Sequence, residues 1–361
     1  MTIDWDRAHQ LAGVCDWIYG DASWAPTADG VERSHYVDQF RDPKSIPVPG
    51  APIAIGTSFA AVFDYRDRAV VAFRGTEEKN WLDWARDAEA ALVPFDIELP
   101  EGRKSLGCLV HRGLLRELNE VLPAIVNCLR GNARVQGKDL TITGHSQGGG
   151  EAILATPALA AAGFRVADTY TFEAPRAGGS SLAALVQSPI YGFEYGEDVV
   201  PHLPPDARLG SDPGRLLQEI VRSLSKAIPG LPAPLAGGLA EVALLAGKAG
   251  GFMGALLNVF GRGAQVRERV RQRLKDLAET SDEPMRTVLG TLALYLGPLQ
   301  YGRVGELVYL RAGGARVPLP ISAEQEQSLF YERLFDLPRA KQNLFGDHHV
   351  STWRKFLTPL A

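Results

Sequence analysis

Residues 141–150, TITGHSQGGG, place one serine between glycines directly after a run of β-branched residues. The β-branched residues favour a strand, and the apolar residues after the glycines favour a helix. Gly144, Ser146 and Gly148 therefore form a G-x-S-x-G pattern on a strand-to-helix turn. Glycine permits so sharp a turn because it has no Cβ, and the turn exposes the serine hydroxyl as a nucleophile. The alternative, a serine that only caps the helix, leaves the flanking glycines unexplained.

Strand-like and helix-like segments alternate on both sides of this turn. The strand-like segments are residues 58–65, 69–75, 139–146, 166–175 and 191–198, and the helix-like segments are residues 80–92, 112–129, 147–163 and 180–187. Such alternation predicts an α/β fold whose mostly parallel sheet is flanked by helices. Ligands of such sheets bind at the carboxyl ends of the strands, so we expect the functional site there.

The composition changes after residue 205. Residues 206–298 open with a helix-start signal, continue through an apolar segment rich in Pro, Gly and Ala, and end on a basic helix. Strand-like sequence returns at residues 299–310. We therefore predict a single domain over residues 1–361 with a helical insertion at 206–298. The insertion is either a cap or lid that contacts lipid, or a set of helices packed on the core with the basic face in water.

Charge and cysteine content exclude several classes of protein. Lys plus Arg total 38 against 42 for Asp plus Glu, a net charge of -4, which argues against a general nucleic-acid binder. Three scattered cysteines without a C-x-x-C pair support neither a disulfide framework nor a zinc site. The first residues are acidic where a secretory signal is basic, and no uninterrupted apolar stretch is long enough to span a membrane. We expect a cytoplasmic protein, or one exported by a leaderless route.

A serine hydroxyl needs a base to take its proton, and a carboxylate usually orients that base. On sheets of this kind the chain order is serine, acid, histidine. The acid should follow a strand, which favours Asp198, with Glu197 and Glu194 as fallbacks. His202 follows Asp198 too closely to return to the serine, so the base comes from the neighbouring pair His348 and His349.

An oxyanion site needs two hydrogen-bond donors near the nucleophile. One is the backbone N–H of the residue after the serine, here Gln147. The other comes from a loop after an earlier strand, and FRGT at 73–76 fits this requirement. Gly75 lets the backbone approach closely, and Thr76 offers both an N–H and a hydroxyl.

Five segments in order resemble the fungal-type (class 3) lipase family of α/β-hydrolases. VVAFRGT followed by NW is similar to the oxyanion segment of that family, and TITGHSQGG to its nucleophile turn. VHRG resembles its V-H-x-G segment, FEAPRAG its segment ending in P-R-x-G, and DVVPHLPP its acid loop. The resemblance covers about residues 58–205 and has weaker echoes at 301–310 and at the C-terminus.

The resemblance implies an α/β-hydrolase fold and a role for each residue of the site. It assigns the nucleophile to Ser146, the acid to Asp198, and the oxyanion donors to Thr76 and Gln147. DHHVSTW fits best with His348 as the base, because the family carries an aromatic residue a few positions later, here Trp353; His349 is the fallback. His111 of VHRG is implied to be a structural polar residue, and residues 80–92 to be the lid.

The function implied is carboxylic-ester hydrolysis through an acyl-enzyme, in a triacylglycerol lipase or esterase. The substrate would be a lipid ester, met in transient contact with a lipid interface, and neither a metal nor an organic cofactor is needed. A phospholipase A-type enzyme, for example an exported effector, is the alternative within enzymes. A catalytically inactive lipid-binding module is the alternative from another class.

Overall fold

A mixed sheet of eight strands runs through the described part of the chain in the computed structural model. The structure describes residues 3–19, 46–47, 53–55, 58–65, 67–75, 91–196, 198, 200–204, 272, 275–276, 279, 301–311, 313–317, 319–322, 325–326, 329, 347–348 and 354–357. The strands of the sheet are β1 (Ile46–Pro47), β2 (Ile53–Ile55), β3 (Ser58–Asp64), β4 (Arg68–Phe73), β7 (Asp139–His145), β8 (Val166–Phe172), β9 (Ile190–Tyr195) and β10 (Glu306–Leu310). A separate antiparallel hairpin is formed by β5 (Leu92–Leu99) and β6 (Gly102–His111).

Four α-helices lie among the described residues: α1 (Trp5–Ile18), α2 (Arg112–Gly131), α3 (Gln147–Ala161) and α4 (Ser180–Leu185). Two short 3-10 helices are Val200–His202 and Arg354–Leu357. Pro123 lies inside α2. Of the helices described, none has the length and apolar character needed to cross a bilayer.

The strand order places the carboxyl ends of successive strands side by side. The order is β1-β3-β4-β7-β8-β9-β10, with β2 paired to β3. Each neighbouring pair from β4 to β10 is parallel, whereas β3 runs antiparallel to β4. The predicted α/β-hydrolase fold with a mostly parallel sheet is therefore confirmed. Parallel strands end at one edge, so the segments after β4, β7, β8 and β9 meet there.

Alternating side chains give the sheet two buried faces. Val62 and Val71 pack against α2 and α3 on one face, whereas Phe63 and Val70 pack against α1 on the other. Neighbouring residues of a strand point to opposite faces, so strands buried on both sides need nearly continuous apolar sequence. This requirement explains the runs of alanine, valine and phenylalanine in β3 and β4.

The β5–β6 hairpin was not predicted from the sequence. We expected a helix over residues 80–92, but Leu92 opens β5, so the end of that prediction is wrong; residues 80–90 lie outside the described residues. Most of β6 is exposed, and a proline and a register shift interrupt β5. The hairpin therefore lacks the apolar pattern by which a buried strand is recognised.

Two other expectations concern the second half of the chain. Strand character was predicted over 299–310, and the strand itself is confined to Glu306–Leu310. The helical insertion predicted at 206–298 lies outside the described residues apart from helical positions 272, 275, 276 and 279. The insertion and the single-domain assignment over residues 1–361 remain predictions.

Glycine at the turn after β7 lets α3 approach the sheet closely. A Cβ built on Gly148 would lie 2.3 Å from the carbonyl oxygen of Phe73 in β4, and one on Gly144 would lie 2.1 Å from the carbonyl oxygen of Gly148. Both neighbours are backbone atoms, so they cannot move aside as a flexible side chain could. The turn therefore has room only for glycine at these positions.

We predict that Gly148→Ala lowers the free energy of unfolding by about 3 kcal/mol or more, because the new methyl group overpacks a backbone contact. Gly131→Ala is the matched control: Gly131 ends α2 and has no atom near its Cβ position. There alanine should be neutral or stabilise by up to about 1 kcal/mol through helix propensity. Denaturant unfolding of both variants measures this difference, and equal stabilities would contradict the packing argument.

Candidate active site

Ser146 occupies the turn between β7 and α3 in a conformation that few residues other than glycine adopt. Its φ is 56° and its ψ is -132°. Its N–H donates to the carbonyl oxygen of Phe172 in β8 at 2.9 Å, and its own carbonyl accepts from Gly149 N–H at 2.8 Å. The Ser146 side chain makes no capping hydrogen bond to the helix, so the capping alternative is wrong. A strained backbone that holds a serine at this position is typical of a nucleophile turn.

Asp198 lies in the loop after β9, where the sequence placed the acid. Its carboxylate is completely buried, and Oδ1 accepts from the N–H of Val200 at 3.0 Å. The guanidinium of Arg176 donates to the carbonyl oxygen of His202 at 2.5 Å and to that of Pro204 at 3.0 Å. These bonds join the segment after β8 to the loop, so they hold Asp198 in place.

His348 contacts Asp198 across 150 positions of sequence. Its Nδ1 lies 2.7 Å from Asp198 Oδ2, and only 6% of His348 is exposed. A bond between an imidazole Nδ1–H and a buried carboxylate orients the ring and fixes its tautomer. His349 and Trp353, the other residues of this segment named from the sequence, lie outside the described residues.

His348 also lies beside the nucleophile turn. Its ring centroid is 4.8 Å from that of His145, the residue before Ser146, and His145 Nε2 is 2.5 Å from the His348 carbonyl oxygen. Among the residues that the structure describes, the Ser146 hydroxyl makes no hydrogen bond to His348. Catalytic hydrogen bonds are often long before substrate binds and shorten in the reacting complex.

The loop predicted to be the oxyanion segment approaches Ser146 closely. A Cβ built on Gly75 would lie 3.0 Å from Ser146 Cβ and 2.7 Å from the carbonyl oxygen of His145. The loop after β4 therefore contacts the turn after β7. Gln147 is the first residue of α3, where a backbone N–H has no partner within the helix. Thr76, the other donor named from the sequence, lies outside the described residues.

Two buried carboxyl groups hold the side chain of Gln147. Its amide nitrogen donates to Glu117 Oε2 of α2 and to Glu151 Oε1 of α3, the second bond being 3.4 Å long. Burial, followed by the negative charge of Glu117, raises the pKa of Glu151 well above its usual value. Glu151 Oε2 has no hydrogen-bond partner among the described residues. Glu151 is therefore held as a neutral acid.

The remaining polar candidates have structural roles. His111 accepts the N–H of Leu114 at 3.4 Å and so caps α2, and burial lowers the pKa of His111 to about 3. Glu194, a fallback acid, forms an ion pair with Arg303, and His202 Nε2 lies 3.7 Å from Glu194 Oε2. Glu197, the other fallback, lies outside the described residues.

Sequence reasoning missed two groups that surround the nucleophile turn. The hydroxyl of Tyr19, just after α1, lies 3.0 Å from His145 Nδ1. Glu151 accepts a hydrogen bond from the side chain of Gln147. The chain-order argument that excluded His145 as a base gave no sign that it contacts His348. Glu151 had one detectable signal, since it places a carboxyl group in the otherwise apolar sequence of α3.

One region of the chain matches a known protein family. Residues 70–208 match the family model described as lipase (class 3). The matched region runs from β4 to just beyond the Asp198 loop, so it contains Ser146 and Asp198 but not His348. A search of curated proteins gives no significant match.

Several solved structures align with about half of the chain. Lipase II from Rhizopus niveus is 20% identical and covers 56% of this chain and 75% of its own, with a TM-score of 0.45. The lipase from Rhizopus microsporus var. chinensis is 21% identical, with coverages of 56% and 69% and a TM-score of 0.42. Lip2 lipase from Yarrowia lipolytica is 18% identical and covers 56% of this chain and 75% of its own, with a TM-score of 0.43.

The neutral acid at Glu151 predicts how stability depends on pH. The folded protein keeps a proton that the unfolded chain releases above about pH 4.5, so the contribution of Glu151 to stability falls as pH rises above that value. Glutamine is neutral throughout, and we predict that Glu151→Gln becomes increasingly more stable than the wild type between about pH 5 and 8. Denaturant unfolding at pH 5 and at pH 8 measures the difference in free energy of unfolding between Glu151→Gln and the wild type. Glu306→Gln, at an exposed position, is the control. A Glu151→Gln difference that is equal at both pH values would contradict a neutral Glu151.

Proposed function

We propose that the protein is a serine hydrolase that cleaves lipid esters through an acyl-enzyme, because residues 70–208 match the class 3 lipase family. The match itself supports a lipase- or esterase-type hydrolase. The proposal adds the residues and the reaction path. It assigns the nucleophile to Ser146, the base to His348, the acid to Asp198, and the oxyanion donors to Gln147 and Thr76.

One observation carries the assignment of the base. His348 Nδ1 and Asp198 Oδ2 form a buried pair 2.7 Å apart at the same edge of the sheet as Ser146. With Nδ1–H donated to the carboxylate, the Nε2 lone pair is the one that can take the serine proton. The contact between His348 and His145 supports this role, because it places the imidazole next to the residue that precedes Ser146.

The first half-reaction forms the acyl-enzyme. His348 Nε2 takes the hydroxyl proton as Ser146 Oγ forms a bond to the ester carbonyl carbon, and the carbonyl π electrons move to oxygen. Asp198 stabilises the resulting imidazolium. When the tetrahedral intermediate collapses, the bond to the alcohol oxygen breaks, and His348 returns its proton to the leaving alcohol.

The second half-reaction releases the fatty acid. His348 takes a proton from water as the water oxygen attacks the acyl carbon, and the Ser146–acyl bond then breaks with return of the proton to Ser146 Oγ. In both intermediates the oxyanion accepts hydrogen bonds from the backbone N–H of Gln147 and from Thr76. The N-terminus of α3 adds favourable electrostatics, because helix N-termini carry partial positive charge.

We predict that Ser146→Ala lowers kcat for ester hydrolysis by about 10⁴-fold or more and that Asp198→Asn lowers it by about 10⁴-fold, because each removes one member of the triad. His348→Ala should have a comparable effect, whereas His349→Ala is the matched neighbour and should stay close to wild type. Each variant is assayed with a soluble nitrophenyl ester and checked for folding by circular dichroism. Loss of activity in His349→Ala together with retention in His348→Ala would move the base to position 349.

We predict that the wild-type protein hydrolyses triacylglycerol emulsions and nitrophenyl esters, and that a fluorophosphonate labels Ser146 covalently. The label follows from the same serine activation as the acyl-enzyme. Parallel assays on triacylglycerol emulsion and phospholipid vesicles separate the substrate classes. Turnover confined to the vesicles would instead indicate a phospholipase A-type enzyme. Absence of both turnover and labelling would indicate an inactive lipid-binding module.

A further inference from the structure

Tyr19 joins the N-terminal helix to the residues around the nucleophile. It follows the last residue of α1, and its hydroxyl lies 3.0 Å from His145 Nδ1. The same hydroxyl is 3.5 Å from the His145 carbonyl oxygen, which is a longer and weaker contact. Burial raises the pKa of Tyr19, so the phenol keeps its proton and remains a donor.

The hydrogen bonds of His145 have a defined direction. His145 Nε2 lies 2.5 Å from the carbonyl oxygen of His348, and a carbonyl can only accept, so Nε2 carries a hydrogen and donates. In the neutral imidazole, Nδ1 is then an acceptor. The donor for Nδ1 is the hydroxyl of Tyr19, because its oxygen is within hydrogen-bond distance.

The Tyr19 oxygen also reaches the oxyanion segment. A Cβ built on Gly75 would lie 2.2 Å from this oxygen, so the phenol packs directly against the glycine and leaves no room for a side chain at position 75. One path of contacts therefore runs from Gly75 to the Tyr19 oxygen, from Tyr19 O–H to His145, and from His145 Nε2–H to the carbonyl of His348.

We propose that Tyr19 and His145 are positioning residues for ester hydrolysis, which together fix the backbone of the base His348 relative to the oxyanion segment at Gly75. This inference rests on the proposed function of His348 and Ser146. Neither positioning residue exchanges a proton with the substrate. Their effect is to hold two parts of the site, which come from opposite ends of the sequence, at a constant separation.

The reason to expect an effect on the rate is geometric. The imidazole of His348 must approach Ser146 Oγ while the oxyanion donors stay in place, and small displacements of reacting groups slow enzymes strongly. The His348 side chain is held through Asp198, and its main chain is held by His145. Loss of the bond from His145 leaves the His348 ring paired with Asp198 but lets the pair move relative to Ser146.

The test is Tyr19→Phe, which removes one oxygen and keeps the ring. We expect kcat per active site to fall about tenfold, which corresponds to one lost hydrogen bond, with little change in KM. Active sites are counted by fluorophosphonate labelling, so any fraction that fails to fold does not enter kcat. Tyr170→Phe is the matched control, because Tyr170 is buried in the same apolar cluster but its hydroxyl has no hydrogen bond among the described residues.

Two variants of His145 separate positioning from general support of the fold. His145→Gln retains a nitrogen donor for the His348 carbonyl, so it should lose clearly less kcat than His145→Leu, which retains none. If Tyr19 acts through His145, the double variant of Tyr19→Phe and His145→Leu should lose less than the product of the two single losses. Independent, multiplicative losses would overturn the connected path.

The outcomes distinguish this proposal from the function on which it depends. If Ser146→Ala abolishes hydrolysis but Tyr19→Phe leaves kcat per labelled site unchanged, the positioning role is wrong and the serine mechanism stands. If Tyr19→Phe only lowers the free energy of unfolding or the number of labelled sites, its role is structural and the proposal is again overturned. If Ser146→Ala keeps its activity, the proposed function itself fails.

Discussion

The site depends on how closely two backbone segments meet at the carboxyl edge of the sheet. Gly148 lies against the carbonyl of Phe73, and Gly75 lies against the carbonyl of His145, so the ends of β4 and β7 touch without intervening side chains. This contact brings the proposed oxyanion segment to Ser146, whose φ is 56°. A strained conformation persists only where its surroundings determine it completely, and here backbone atoms on both sides do so.

Local sequence patterns predicted the parts of the fold that local physics determines. β-branched runs, glycine turns and apolar periodicity predicted the strands β3, β4, β7, β8 and β9 and the helices α2 and α3, because each pattern reflects a buried face. The β5–β6 hairpin was not predicted, because most of β6 is exposed and so lacks the apolar pattern of a buried strand. The position after a strand favoured Asp198, the chain order limited the base to His348 or His349, and the family resemblance favoured His348, which the structure pairs with Asp198. Contacts such as Tyr19 with His145, in contrast, join positions 126 residues apart. No local pattern encodes such a contact.

Polar groups are buried around the site, and their environments determine their charge. Asp198 accepts a hydrogen bond from the N–H of Val200 and pairs with His348. Glu151 lies near Glu117 without a cation of its own among the described contacts, so it keeps its proton. His111 stays neutral and serves as a helix cap. Glu151 and His111 are thus two neutral groups among the buried polar residues, because burial disfavours the charged form.

The N-terminal helix holds the C-terminal residues around His348 in two independent ways. Leu357, nine positions after His348, is buried in the apolar cluster of α1, and the Arg354 guanidinium lies so close to Gly13 that a Cβ there would approach it to 2.5 Å. Tyr19 adds a polar path to His348 through His145. Apolar packing restricts the distance between two segments but tolerates sliding, whereas directional hydrogen bonds fix the register. Because the two are combined on α1, docking of this helix also restricts the position of His348.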